Sequence, residues 1–206
     1  MVHFGYATAT LARICKCSYE YEAERFRVLK ELLGDEFKIM SEYSNKNIMT
    51  VKGGKTVIIA FRGTELTKDK KRAFKDLLQD VNIAIGKNER VTRIQEGSIM
   101  IHNILRNVEK KNLLITGHSL GGFVGVNLSE KFNVRSVLFN IGCSPLDPKG
   151  IRRNSENIIH ITTNDLRKFP PVIDILSISA LFLFRFRYYI VPVKKGLSTH
   201  TIDNFI

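Results

Sequence analysis

The chain has 206 residues, 44% of them hydrophobic and 25% charged, a balance that fits one α/β globule with a sizeable core, argues against disorder, and leaves little room for two full domains. Its formal net charge is +12, from 32 basic against 20 acidic residues. That excess favours anionic partners, yet the basic residues are scattered, with small clusters only at 68–75 and 185–195, and no nucleic-acid-binding motif accompanies them.

In chain order, apolar positions at helical spacing (Ala7, Leu11, Ile14, Cys15, then Phe26, Leu29, Leu32, Leu33) predict two helices over 7–33, split near Ser18 and stopped by Gly34. Strands are expected at 37–40, 47–51 and 56–61, with Gly53 and Gly54 turning a hairpin between the second and third. The third runs Val57-Ile58-Ile59-Ala60-Phe61 without alternation, as a strand buried on both faces should. It ends in Arg62-Gly63-Thr64, at the kind of strand end where open α/β sheets place their ligands. Thr64 reads equally as a donor to a reaction centre or as an ordinary turn residue.

Residues 65–81 predict a helix with Phe74, Leu77, Leu78 and Val81 on one face and Lys68, Lys70, Lys71, Arg72 and Lys75 on the rest. Such a helix packs on the core, or serves as a lid or a contact with an anionic membrane surface. Ile94, Ile101, Ile104, Leu105 and Val108 mark a further amphipathic helix.

The chain then reaches its most informative stretch. Leu113-Leu114-Ile115 reads as a buried strand, Gly117-His118-Ser119-Leu120-Gly121 breaks it, and an apolar helix follows to about Lys131. Strand, sharp turn and helix are the setting of a nucleophile elbow: glycines permit the bend, and the serine is carried to its tip. The helix start would aim backbone N–H groups, that of Leu120 included, at the space beside Ser119 where an oxyanion would form. Ser119 is therefore the candidate nucleophile. Beyond it, strands are expected at 134–139, 158–162 and 188–193, with a short terminal helix opening at 198–200.

A serine hydroxyl needs a histidine to take its proton and a carboxylate to hold that histidine's tautomer, and elbow enzymes run Ser, acid, His along the chain. Two histidines follow Ser119. His160 sits inside a strand-like run and reads as a buried structural residue, so His200, in the loop after the last strand, is the candidate base. Of the intervening acids, Glu130 lies on the helix after the nucleophile and Glu156 at the wrong end of its strand. Asp174 lies past two prolines. Asp165, directly after the strand at 158–162, is preferred, with Asp147 the runner-up. His118 precedes the nucleophile, and the turn is expected to aim it elsewhere. No metal-ligand cluster and no cofactor motif appears.

Four separated motifs, GHSLGG at 117–122, FRGT at 61–64, NDLRKFPP at 164–171, and His200 with Phe205 five residues on, together resemble the class 3, fungal-type lipase family. The resemblance implies an α/β-hydrolase fold, a single domain with a central, mostly parallel sheet flanked by helices. It also implies hydrolysis of carboxylic esters of acylglycerols or phospholipids, with Ser119 as nucleophile, Asp165 as acid, His200 as base, and Thr64 and Leu120 as oxyanion donors. The segment 65–79 corresponds to that family's lid; it lacks the Trp common there and is unusually basic. Rival readings are an acyltransferase with the same triad, and a catalytically silent module that docks on anionic bilayers. The spacing of Cys15 and Cys17, the lack of a secretory pattern at the N-terminus and the lack of about 18 uninterrupted apolar residues predict a reduced, intracellular (cytoplasmic) setting, with room for peripheral membrane contact.

Overall fold

The computed structural model describes residues 1–64, 87–142, 157–164, 172–173, 187–197 and 200–206. The chain opens with a small hairpin, β1 (Val2–His3) and β2 (Tyr6–Ala7), whose strands are too short to leave an alternating pattern in the sequence. Helices α1 (Thr8–Cys17) and α2 (Glu22–Leu33) divide at Ser18 as expected, and Gly34 ends α2 at φ 67. Strands β3 (Phe37–Ile39), β4 (Ile48–Gly53) and β5 (Thr56–Phe61) follow. The hairpin turn falls one residue later than expected: Gly53 closes β4, and Gly54, at φ 58, makes the bend with Lys55.

Then come α3 (Lys87–Ile104), β6 (Leu113–Ser119), α4 (Leu120–Phe132) and β7 (Ser136–Ile141). The last strands are β8 (Asn157–Asn164), β9 (Val172–Ile173) and β10 (Arg187–Pro192). The terminal helix is a 3-10 turn at Ile202–Phe205, capped by Thr201, so it starts after His200 and not before it. The helix expected over 65–81, and Asp147, Glu156, Asp165 and Asp174, lie outside the described residues.

Apart from the β1–β2 hairpin, the described strands form one sheet in the order β10-β8-β7-β6-β5-β4-β3, with β9 paired to β8. Every pairing from β5 to β10 along that path is parallel; β3 and β4 run antiparallel on one edge, and β9 is antiparallel to β8. This is the mostly parallel α/β sheet expected. Both faces are covered. Ile59, Phe61, Ile115, Leu138, Ile159 and Ile161 pack against α3 and α4, while Ile58, Ala60, Leu114, Val137, Phe139 and Ile158 pack against α1, α2 and the C-terminal turn. Alternate residues of one strand thus enter different cores, which is why β5 reads as an unbroken apolar run. Each of these side chains larger than alanine contributes about 1.5–3 kcal/mol on withdrawal from water. Helix α4 is buried at every position from Leu120 to Val126, as a helix apolar all round must be.

Arg25 of α2 is 2% exposed. Its guanidinium donates to the carbonyls of Ser18, Glu20, Asn45, Lys46 and Ile48, stitching the α1–α2 turn to the chain before β4. Cys15 and Cys17 are free and buried, and burial pushes both thiols up to about 12, so neither is a thiolate at neutral pH. No described helix is long and apolar enough to cross a membrane.

Candidate active site

The parallel register pairs Phe61 with Gly117, which brings the carboxyl ends of β5 and β6 to one rim of the sheet. There, between His118 and Ser119, the pairing of β6 with β7 slips by a residue. Ser119 adopts φ 57 and ψ −125, a backbone state that costs an ordinary L-residue on the order of 1–3 kcal/mol. It is the residue that caps α4. Serine in that position ordinarily accepts from the second or third helical N–H; here its side chain makes no capping bond. The hydroxyl is thus not spent on the helix's first amides.

The space beside that hydroxyl can be located. A carbon built on Gly142, just past β7, would lie 3.3 Å from the Leu120 nitrogen and 3.5 Å from Ser119 Oγ. One point therefore stands within reach of both groups, and it is open because residue 142 has no side chain. Gly142 is itself fixed there by donating its N–H to the Ser119 carbonyl at 3.0 Å. The two glycines of the elbow serve different contacts. A Cβ on Gly117 would meet the Gly121 carbonyl across the turn, as expected, whereas one on Gly121 would strike the Phe61 carbonyl, so Gly121 is what lets α4 approach the end of β5.

Thr64 is exposed and lies one residue past Gly63, whose Cα packs so closely on the His118 carbonyl that a Cβ there would sit 2.7 Å from it. The loop leaving β5 therefore runs along the elbow. His200 is 6% exposed, and its ring lies 4.9 Å, centroid to centroid, from that of His118, the neighbour of Ser119 in the chain. Ser119, Leu120, Thr64 and His200 are thus gathered at one end of the sheet. Asp165, preferred as the acid, falls outside the described residues, as does its runner-up Asp147.

His118 is the residue whose surroundings the sequence conceals. The turn aims it toward the His200 loop. Its Nε2–H donates to the His200 carbonyl at 2.6 Å, since a carbonyl can only accept, and in the neutral ring Nδ1 then accepts from the Tyr19 hydroxyl at 2.8 Å. Gly63 packs against the Tyr19 hydroxyl so closely that a Cβ there would sit 2.0 Å from Tyr19 Oη, and burial pushes that hydroxyl above the usual tyrosine range. Tyr19 lies far upstream of these partners, and no local pattern marks it.

His160 is the buried structural histidine expected. It stacks between Phe139 and Tyr189, and its Nε2 meets His3 Nε2 at 3.0 Å. His160 Nδ1 has no partner among the described residues, which makes His160 the donor: a bare nitrogen lone pair is cheaper to bury than an unpaired N–H. Desolvation, then His3 and the chain's amino terminus, push its pKa down to about 3. Glu130 accepts from the Asn157 amide at the start of β8, the end of the sheet away from Ser119, as expected. Among the described residues no group of three or more His, Cys, Asp or Glu could hold a metal ion.

Residues 66–148 match the model of an uncharacterised protein family, UPF0227. The match takes in the elbow and Gly142 and stops short of Asp165 and His200. No curated protein matches the chain.

Proposed function

We propose that the chain is a serine esterase of the lipase type, cleaving carboxylic esters of acylglycerols or phospholipids. In this reading His200 takes the Ser119 proton as Oγ attacks the ester carbonyl, Asp165 holds the His200 tautomer, and the Leu120 and Thr64 N–H groups receive the oxyanion. Collapse of the tetrahedral adduct, with the proton passing from His200 to the leaving oxygen, expels the alcohol and leaves an acyl-Ser119. Water, deprotonated by His200, then releases the fatty acid. The observation that carries the reading is the strained serine at the head of a buried helix, its hydroxyl unspent on capping and its neighbouring amide facing the same open point. The α/β sheet and the elbow favour a hydrolase; the resemblance of four motifs to the class 3 lipases narrows that to lipid esters.

The test is hydrolysis of p-nitrophenyl acyl esters, then of mixed acylglycerols and phospholipids followed by mass spectrometry, by wild type and Ser119→Ala. Release of fatty acid by wild type alone supports the reading; equal release by both disposes of it. Adding a long-chain alcohol separates hydrolysis from acyl transfer, since an acyltransferase would form the new ester in preference to free acid. The +12 charge also leads us to expect preference for anionic vesicles, measurable by co-sedimentation at low and high salt.

A further inference from the structure

Three segments that must keep their relative positions for the proposed chemistry converge on two side chains the mechanism does not use. These are Gly63, beside the proposed donor Thr64; residue 118, beside the nucleophile; and the main chain of His200, the proposed base. His118 Nε2–H holds the His200 carbonyl, Tyr19 Oη–H holds His118 Nδ1, and Gly63 packs on Tyr19 Oη, where a Cβ would lie 2.0 Å from the oxygen, so one continuous series of contacts spans all three. The two imidazole rings also lie in contact, 4.9 Å apart and tilted by 40°.

The geometry points to His118 as a positioning residue, with Tyr19 behind it: together they fix the main chain of His200 relative to Ser119. His118 touches no reacting atom in this role. It precedes Ser119 in the chain, so any drift of the His200 loop away from the nucleophile must stretch the 2.6 Å bond at His118 Nε2. Drift of the 63–64 loop must open the packing of Gly63 on Tyr19 Oη. A base held only by its own flanking residues would sample many distances from Oγ, whereas one tied to the neighbouring residue of the elbow moves with it. Displacements near 1 Å between reacting groups cost on the order of 100-fold in rate, so the tie acts on turnover and leaves substrate affinity to other residues.

This inference rests on the esterase reading, and the experiment separates the two. The variants are His118→Ala, His118→Gln, Tyr19→Phe and the double variant Tyr19→Phe/His118→Ala, each with a thermal melt and full kcat and KM on a p-nitrophenyl ester. Imidazole 15N shifts of the wild type report the His118 tautomer. We expect a ring protonated at Nε2, a kcat lowered about 10- to 100-fold in His118→Ala with KM within about twofold, and partial rescue by glutamine, whose amide N–H reaches toward the same carbonyl. Tyr19→Phe should fall less, and the double variant should fall little below His118→Ala, because the second residue acts through the first.

A wild-type ring protonated only at Nδ1 would overturn the inference, whatever the activity. So would folded His118→Ala with wild-type kcat, or loss appearing in KM alone. If His118→Ala does not fold, glutamine and Tyr19→Phe decide: wild-type kcat in Tyr19→Phe together with loss in the glutamine variant equal to that of Ser119→Ala would refute positioning by this chain of bonds. Absence of Ser119-dependent hydrolysis in the wild type defeats the esterase reading and this role with it; an active wild type beside unaffected variants defeats this role alone.

Discussion

Two adjacent glycines offer a sharp contrast, and Gly121→Ala against Gly122→Ala is the perturbation that exploits it. A methyl carbon built on Gly121 would lie 1.9 Å from the Phe61 carbonyl oxygen, and 2.7 Å from the Phe61 carbonyl carbon. The closest comfortable carbon–oxygen approach is about 3.3 Å, so the head of α4 must withdraw from the end of β5 by roughly 1.4 Å. Both obstacles are backbone, and neither can rotate aside. On Gly122 the same methyl would lie 3.2 Å from Ile141 Cγ1 and 3.4 Å from its Cα, asking a few tenths of an ångström of its surroundings. Withdrawal of the helix head carries Leu120 with it and should lower kcat by about 100-fold in Gly121→Ala, the cost of misplacing a reacting group by an ångström. Gly122→Ala should stay within about threefold of wild type and gain up to about 1 kcal/mol, since alanine is the better helix former. Hydrolysis of a p-nitrophenyl ester and urea unfolding read both effects on the same preparations. A Gly121→Ala protein with wild-type kcat and stability, or a Gly122→Ala protein equally crippled, would show that the close approach of α4 to β5 does not set the elbow.

Gly142→Ala tests the open point beside the nucleophile: its methyl would just fit, 3.3 Å from the Leu120 nitrogen, so the protein should fold normally while turnover falls about 10-fold or more; unchanged turnover would move the substrate carbonyl elsewhere. His160 makes stability depend on pH. The fold lowers its pKa from 6.5 to about 3, so the unfolded chain binds the extra proton; stability is full above about 6.5 and is lost as pH falls toward 3, at about 1.4 kcal/mol per unit. Urea titrations at pH 7 and 5 should differ by about 2 kcal/mol in wild type and by clearly less in His160→Met, whereas identical slopes would remove His160 as the cause. Arg25→Met strands the carbonyls that the guanidinium now receives and should cost about 3 kcal/mol by chemical unfolding, with esterase kcat unchanged in whatever fraction stays folded; a cost under about 0.5 kcal/mol would mean water replaces the arginine at no penalty.

What the sequence made legible follows from how local each constraint is. The strand at 56–61 is readable because both its faces are buried, so apolar residues must run on without a break, and Gly34 is readable because a positive φ after a helix favours glycine. The elbow is readable for the same reason: Gly117 and Ser119 are bound to one bend, and the bend is five residues long. The role of Gly121 was only half legible. Its partner is the carbonyl of Phe61, sixty residues upstream, and nothing near residue 121 announces that a second strand ends against it.

His118 marks the limit of this kind of reading. A residue just before the tip of a sharp turn can be assigned a side of the sheet only when the neighbouring segments are known, and the segments that receive it come from opposite ends of the chain, Tyr19 from the loop after α1 and His200 from the last loop. Its two ring nitrogens need a donor on one side and an acceptor on the other, a demand that many surroundings can satisfy and that leaves no spacing rule behind. His160 poses the opposite case. A histidine flanked by isoleucines within a strand has little choice except burial, and once buried it must stay neutral and find one partner. The partner, His3, sits on a hairpin of two-residue strands that no periodicity could reveal. Strain and burial are properties of a position and write themselves into the nearby sequence; hydrogen bonds that tie distant loops are properties of the assembled sheet, and a site that depends on them is complete only when the fold is.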